Sequence, residues 1–464
     1  MKKWAVILYN VNICGGYNVI IEHMLYAYKQ GVEIYWISNR LINPNEASWH
    51  PGTEVIRFTT FEECENEVFD VAMATEWITA YDVHKVKAKK YLYFVQSIES
   101  RFFTGKLLAD MAEFTYTMPF RYITEATWIQ RYLKENYNQD SQLCLNGIRK
   151  DLYLNDDTAY VDRQEGKLRV LVEGSLKDWF KNVQLTVELC RKSKADEIWL
   201  LTSSNVERFD GVDRVYSQIS IQDVPKIYRS CDVLVKLSLV EGMFGPPLEM
   251  FHCGGTAITY DIDGHEEYEI NGVNSIVVPK GSTDEVVEAI NKLKCDTVLL
   301  EQLKKGARKT ASEWRGWEVS SKEFYEKVES IPDSTPEQIN IIQKQSRYLR
   351  DISNHLVDEC VGDRGNQIEA AVVFSKENHK KIVLYGAGRV AKKMINALDD
   401  YNVHVAGILV SSHDNNPEYV MGHKVYTPDE IYEKRNDYVI LIATTKYYHE
   451  IKKTLSEQGF SNIF

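Results

Sequence analysis

The chain has 464 residues, of which 44% are hydrophobic and 26% charged, and it carries a net charge of −12. That length predicts two to four domains, in a composition ordinary for a soluble globular protein. The acidic balance excludes a general nucleic-acid binder, which needs a basic surface to neutralise phosphates.

Strand and helix patterns alternate from the start, the signature of α/β domains built on parallel sheets. WAVILY (Trp4–Tyr9) is a first buried strand, and its short apolar run lacks the core and cleavage site of a signal peptide. A Gly-Gly loop and a helix ending at Gly31 follow, then the strands VEIYWIS, VFDVAMAT, KKYLYFVQ and RYITEA. LCLNGI closes a first domain, residues 1–150. A polar, acidic stretch at 154–166 leads into a second domain, 151–331, with strands LRVLVEG, EIWLLTS, DRVYSQI, VLVKLS, TAITYD and SIVVP. ASEWRGWEVSSKEFYEKVESI reads as one long helix ending it. Residues 332–371 form a connecting helix that opens at the start signal Asp-Ser-Thr-Pro-Glu. A small third α/β unit, 372–464, carries KIVLYGAGRVAKKM, VHVAGILVS and YVILIATT.

The stretch EGMFGPPLE, Glu241 to Glu249, places two carboxylates eight positions apart around a loop of glycines, prolines and apolar side chains. Pro246 and Pro247 suit the first turn of a helix, where a missing N–H is harmless. Gly242 and Gly245 therefore lie in a loop running into a helix N-terminus, where the backbone can approach an anion closely. This predicts a pyrophosphate site. A carboxylate accepts from two neighbouring hydroxyls, so Glu241 is expected to face a sugar, and Glu249, in the first turn, a ribose.

This Glu-x7-Glu motif resembles the signature of retaining GT-B glycosyltransferases, glycosyltransferase family 4 in particular, and the resemblance covers most of residues 1–330. It implies two Rossmann-like domains facing a cleft, plus the small Rossmann-like C-terminal domain. It also implies a nucleotide-diphosphate sugar as donor, a glycan or lipid-linked acceptor, and no metal or other cofactor. By resemblance, Glu241, Lys181 and Gln96 serve catalysis. Gly15, Gly16, Lys181, Gly242, Phe244, Gly245, Glu249 and Glu267 hold the donor. Where the family usually has an arginine beside the lysine, this chain has Ser175, with Lys177 nearby, and GMFG stands where Gly-Phe-Gly is more usual. The stretch YLYFVQSIESRFFTGKLLADMAEFTYTMPFRYITEATWIQRYLKENY is similar to rhamnosyltransferases of bacterial surface-glycan assembly.

In the third unit, Gly386, Gly388 and Ala391 make a GxGxxA turn after a strand, a second nucleotide site by pattern. The next strand ends in serines rather than the acid that NAD binding wants, so NAD is not expected. The eight cysteines form no CxxC pair and join no histidine cluster at metal-ligand spacing, which points to a reducing compartment. No stretch approaches the ~20 apolar residues of a membrane span. The expected location is cytoplasmic, with RFFTGK as a point of contact with the membrane's inner face. Two other readings stay open: a non-catalytic GT-B partner subunit, and an NAD-linked oxidoreductase working through the C-terminal unit.

Overall fold

The computed structural model describes every residue except 12, 104–105, 155–157, 362–363, 401–402 and 445–446. Parts of the Gly-Gly loop, of RFFTGK and of the 154–166 connection therefore lie outside the described residues. The chain divides into two compact units. One comprises residues 1–174, 179–201 and 219–353, the other 175–178, 202–218 and 354–464.

The first unit holds two parallel sheets. The first sheet runs β3-β2-β1-β4-β5-β6-β7, from β1 (Lys2–Ile7), β2 (Val32–Ser38), β3 (Ile56–Thr60), β4 (Val68–Ala74), β5 (Lys87–Val95), β6 (Arg121–Thr124) and β7 (Ser141–Leu143). All its pairs are parallel. The strands read as unbroken apolar runs because helices cover both faces: Trp4 to Leu8 and Tyr91 to Val95 are buried. In the second sheet, β9 (Glu197–Thr202), β8 (Arg169–Glu173), β11 (Val233–Lys236), β12 (Thr256–Tyr260) and β13 (Ser275–Val278) are neighbours in that order, again parallel. Strand order reverses between β1 and β4 and between β8 and β11. In open α/β sheets a crevice forms at such points, beyond the carboxyl ends of the strands.

Three features depart from the sequence reading. Strand β3 was not expected; it is a five-residue edge strand after the turn at Pro51–Val55. The expected single helix is two, Thr297–Glu313 and Trp317–Ser330. The chain between them is extended because its backbone pairs with Asn146-Gly147-Ile148: Ile148 N donates to Arg315 O at 3.2 Å and Trp314 Nε1 to Asn146 O at 3.0 Å. Gly147 permits this, since a Cβ there would lie 2.5 Å from Trp317 N. Finally, the helix after the Glu-x7-Glu loop starts at Gly245, so Glu249 stands one turn in rather than in the first turn.

The Trp317–Ser330 helix crosses back to the first sheet. Its Trp317, Phe324 and Val328 share one core with Trp4, Ile20, Met24 and Phe94. Helix Pro336–Val361 follows and anchors to the same half. Arg350 pairs with the fully buried Asp82 and donates to Ile78 O at 3.0 Å. No described helix is long and apolar enough to cross a membrane.

In the second unit, β14 (Lys381–Tyr385), β15 (Val405–Leu409), β16 (Tyr419–Val420), β17 (His423–Tyr426) and β18 (Tyr438–Ile442) form a sheet of order β16-β17-β15-β14-β18. Only β16 is antiparallel to its neighbour. Stretch 202–218 of this unit includes β10 (Arg214–Ser217). A helix Arg364–Glu377 precedes β14, and residue 372 lies inside it.

Candidate active site

Gly15 and Gly16 follow β1, Lys181 follows β8 and the Glu241–Gly245 loop follows β11, the strands that flank the two switch points. Gly15 and Gly16 open helix Gly15–Lys29 just beyond β1. Gly245 opens helix Gly245–His252 beyond β11, with the prolines in its first turn. A Cβ at Gly15 or Gly245 would meet nothing within 4 Å, so both helix starts face open space. A Cβ at Gly16 would lie 3.3 Å from Gln96 Oε1, an atom buried without a partner.

Glu241 is at the centre. Lys181 Nζ lies 2.9 and 2.8 Å from its two carboxylate oxygens, and Lys236 Nζ lies 3.7 Å away. Burial opposes the charge on Glu241, but the two ammonium groups outweigh it and hold its pKa below the usual carboxylate value. Lys236 also pairs with Glu173 at the end of β8. Glu249 feels the charges of Glu173 and Lys236 from this array. Burial, and then the charge of Glu173, push its carboxyl up to about 7, against the hydroxyls of Tyr228 and Tyr153 that bond it. One glutamate of the motif is thus held ionised, and the other is poised to carry a proton.

The Gly242–Met243 step is seated on the first half of the unit. Met243 N donates to Glu125 Oε1 at 3.0 Å, Trp128 Nε1 donates to Gly242 O at 2.9 Å, and Ser97 Oγ reaches Glu241 O at 3.3 Å. A Cβ at Gly242 would lie 1.8 Å from Gln96 O, so only glycine fits. Glu125 also accepts from Asn146 Nδ2 at 3.0 Å, and burial pushes its carboxyl up to about 7. Phe244 is buried, with Lys236 Nζ 5.9 Å from its ring centre.

Glu267 accepts from the backbone N and the hydroxyl of Thr127, each at 2.6 Å, and so sits at the start of helix Thr127–Tyr137. Glu99, three residues beyond Gln96, turns inward and accepts from Tyr93 OH and Trp77 N, both at 2.6 Å. Ser175 and Lys177 belong to the second unit, where Ser175 Oγ accepts from Lys177 N at 3.2 Å. Gly386 in that unit has φ +118° and Gly388 faces open space, while Ala391 is buried under the sheet. Asp414, beyond β15, bonds the hydroxyl of Ser412 at 2.8 Å.

Sequence reasoning missed Lys236, Glu173, Glu125, Tyr153 and Tyr228. Lys236 had a visible signal: a lysine inside the apolar run VLVKLS needs a buried partner. Glu125 directly follows a strand, the place where crevice residues stand. The tyrosines had no local signal, because their role depends on long-range packing.

Residues 213–310 match the family described as Glycosyl transferases group 1, and residues 378–463 match the one described as C2185-like, N-terminal. No curated protein matches the chain. Among solved structures, the chain is similar to Anabaena Alr3699/HepE in complex with UDP and glucose, at 14% identity and TM-score 0.60, covering 71% of this chain and 100% of that one. It is similar to the sucrose-phosphate synthase of Thermosynechococcus elongatus, at 13% identity and TM-score 0.56, covering 71% and 98%. It is also similar to WaaG, a glycosyltransferase involved in lipopolysaccharide biosynthesis, at 13% identity and TM-score 0.55, covering 71% and 100%. The fold is GT-B: two Rossmann-like halves and a small C-terminal α/β domain.

Proposed function

We propose that the chain transfers a hexosyl group, rhamnose or another, from a nucleotide-diphosphate sugar to a hydroxyl of a growing bacterial surface glycan. Transfer retains the anomeric configuration, needs no metal, and takes place in the cytoplasm at the inner face of the membrane. The match of residues 213–310 to a glycosyltransferase family and the GT-B fold support the general reading. The observation that carries it is the Lys181–Glu241 pair beside the open helix start at Gly245.

The chemistry follows from that arrangement. Cleaving the sugar–phosphate bond places growing negative charge on the diphosphate. Lys181, fixed in place by Glu241, and the N–H groups at Gly245 offer compensating charge without reorganisation. Glu241, held ionised, accepts hydrogen bonds from sugar hydroxyls. The acceptor hydroxyl then attacks through an oxocarbenium-like state on the face the diphosphate leaves, and the diphosphate takes its proton.

The test is thermal unfolding of the full chain with nucleoside diphosphates, nucleotide sugars, NAD and NADP. A ligand at 100 times its Kd stabilises a fold by about 2.7 kcal/mol. One nucleoside diphosphate is expected to raise Tm, and Glu241→Gln to reduce the shift. Transfer that continues in EDTA supports the metal-free route. A shift with dinucleotides alone, unchanged in Glu241→Gln, would overturn the proposal. Donor binding without hydrolysis or transfer would favour a non-catalytic partner subunit.

A further inference from the structure

A cavity of 820 Å³ opens in the second half of the first unit, away from the proposed donor site. Leu168, just before β8, and Asp232, just before β11, line it, so it sits at the amino ends of the strands whose carboxyl ends carry Glu173 and Lys236. Strand β8 alone separates the two ends by roughly 13 Å at ~3.3 Å per residue. Six cations line the cavity: Arg163, Lys167, Lys294, Lys304, Lys305 and Arg308. Three have structural duties. Arg163 donates to the carbonyls of Tyr228, Cys231, Cys253 and Gly254. Lys294 pairs with Asp196, and Lys304 with Asp232 at 2.9 Å and Glu301 at 3.1 Å. Lys167, Lys305 and Arg308 make no ion pair among the described residues and are exposed. Of the lining acids, Asp232 and Glu301 are engaged by Lys304, leaving Glu165 as the remaining one. In a chain of net charge −12 this is a local reversal of sign.

We propose that this cavity is a binding site for a phosphate-bearing ligand carrying at least two negative charges. Its volume falls within the ~300–1,000 Å³ of small-molecule sites. An arginine fork and ammonium groups lining one cavity suit phosphate oxygens. The ligand is a soluble phosphorylated compound or the headgroup of an anionic lipid, which present the same chemistry. The site does not depend on the glycosyl-transfer reading.

The test is calorimetric titration of the full chain with inorganic tripolyphosphate at low ionic strength, where such contacts are least screened. The parent, Lys305→Glu/Arg308→Glu and Lys181→Ala are compared. Both reversed side chains are exposed, and an unchanged Tm checks the fold. The parent is expected to bind in the cavity as well as in the donor cleft; the cavity site is the one retained in Lys181→Ala and weakened at least tenfold in the double variant. Absence of binding, or a double variant that binds like the parent, overturns the proposal; so does loss of all binding in Lys181→Ala, which would put the anion in the donor cleft alone. Co-sedimentation with phosphatidylglycerol vesicles, compared with phosphatidylcholine, identifies the source. Vesicle binding abolished in the double variant names the headgroup, and tripolyphosphate binding without it names a soluble phosphate.

Discussion

Lys236 stands in the middle of an apolar strand with 1% of its side chain exposed, between Glu173 and Glu241. Replacing it with methionine leaves Glu173 without its counter-charge and Glu241 with Lys181 alone, and breaking a buried pair from one side costs about 3–5 kcal/mol. Lys236→Met is therefore expected to lower the denaturation midpoint sharply, and adding Glu173→Gln should recover part of the loss, since paired residues couple. Lys181→Met, at a more open position, is expected to unfold near the parent's Tm while transfer falls by about 100-fold. Titration adds a second residue-scale prediction. Burial pushes Glu99 up to about 8 and Glu125, Glu249 and Glu269 up to about 7. Their unfolded forms ionise near 4.5, so the stability they contribute is full below that pH and is lost as pH rises toward 7–8. Burial also lowers His23 to about 3 and His252 to about 4. Their contribution is full above about 6.5 and is lost as pH falls toward those values. The two trends oppose each other; four carboxyls outweigh two imidazoles between about 4.5 and 6.5, so maximal Tm is expected near pH 4.5, with loss on both sides in a buffer series. Glu241 stood out through the Glu-x7-Glu motif and Lys181 through the resemblance of the stretch after LRVLVEG, and the structure pairs the two. That the pKa of Glu241 is held down while that of Glu249 is pushed up was illegible, since it depends on which charges and tyrosines the fold brings alongside.

At the scale of elements, the loop from Glu241 to Gly245 joins the two halves of the first unit, and its glycines divide the work. Gly242 has the backbone of Gln96 against it, whereas Gly245 faces open space. Gly242→Ala is expected to break the seam at Met243–Glu125 and Gly242–Trp128, lowering Tm and abolishing nucleotide binding together. Gly245→Ala has room for its methyl, so its Tm should stay within a degree or two, while donor affinity falls if the diphosphate binds there as proposed. Thermal unfolding with and without nucleotide separates the two outcomes. If Gly242→Ala unfolded like the parent, the seam would not be the constraint the geometry makes it. The sequence exposed this loop in part: the prolines fall in the first helical turn as local rules put them, while the helix itself starts earlier, at Gly245. The break at Trp314–Gly316 was hidden because helical periodicity runs straight through it. What interrupts that helix is a backbone pairing with Ile148, more than 160 residues earlier in the chain.

Across the whole molecule, that long-range pairing belongs to a larger pattern: the end of the first unit completes the core of its beginning. Phe324 is fully buried, and its ring stacks on His23 at 4.1 Å and meets Phe94 edge-on at 5.2 Å, both in the first half. Chain order therefore misleads about which residues fold together. A boundary drawn near residue 150 or 331 separates runs of strands in sequence, yet the hydrophobic core around Trp4 and Trp36 closes only when residues 317–331 return to it. Deleting the Phe324 ring would leave a cavity lined by His23 and Phe94, at a cost of about 3–5 kcal/mol. Phe324→Ala is expected to destabilise the first sheet, although the residue lies far along the chain from every strand of that sheet. Hydrogen exchange makes the test specific: amides of β1, β4 and β5 should lose protection in Phe324→Ala, and those of β8, β11 and β12 should keep most of theirs. Equal loss in both sheets would mean that the two halves unfold as one cooperative body. Protection retained in β1, β4 and β5 would show that the returning helix is dispensable to the first half, against the packing seen here.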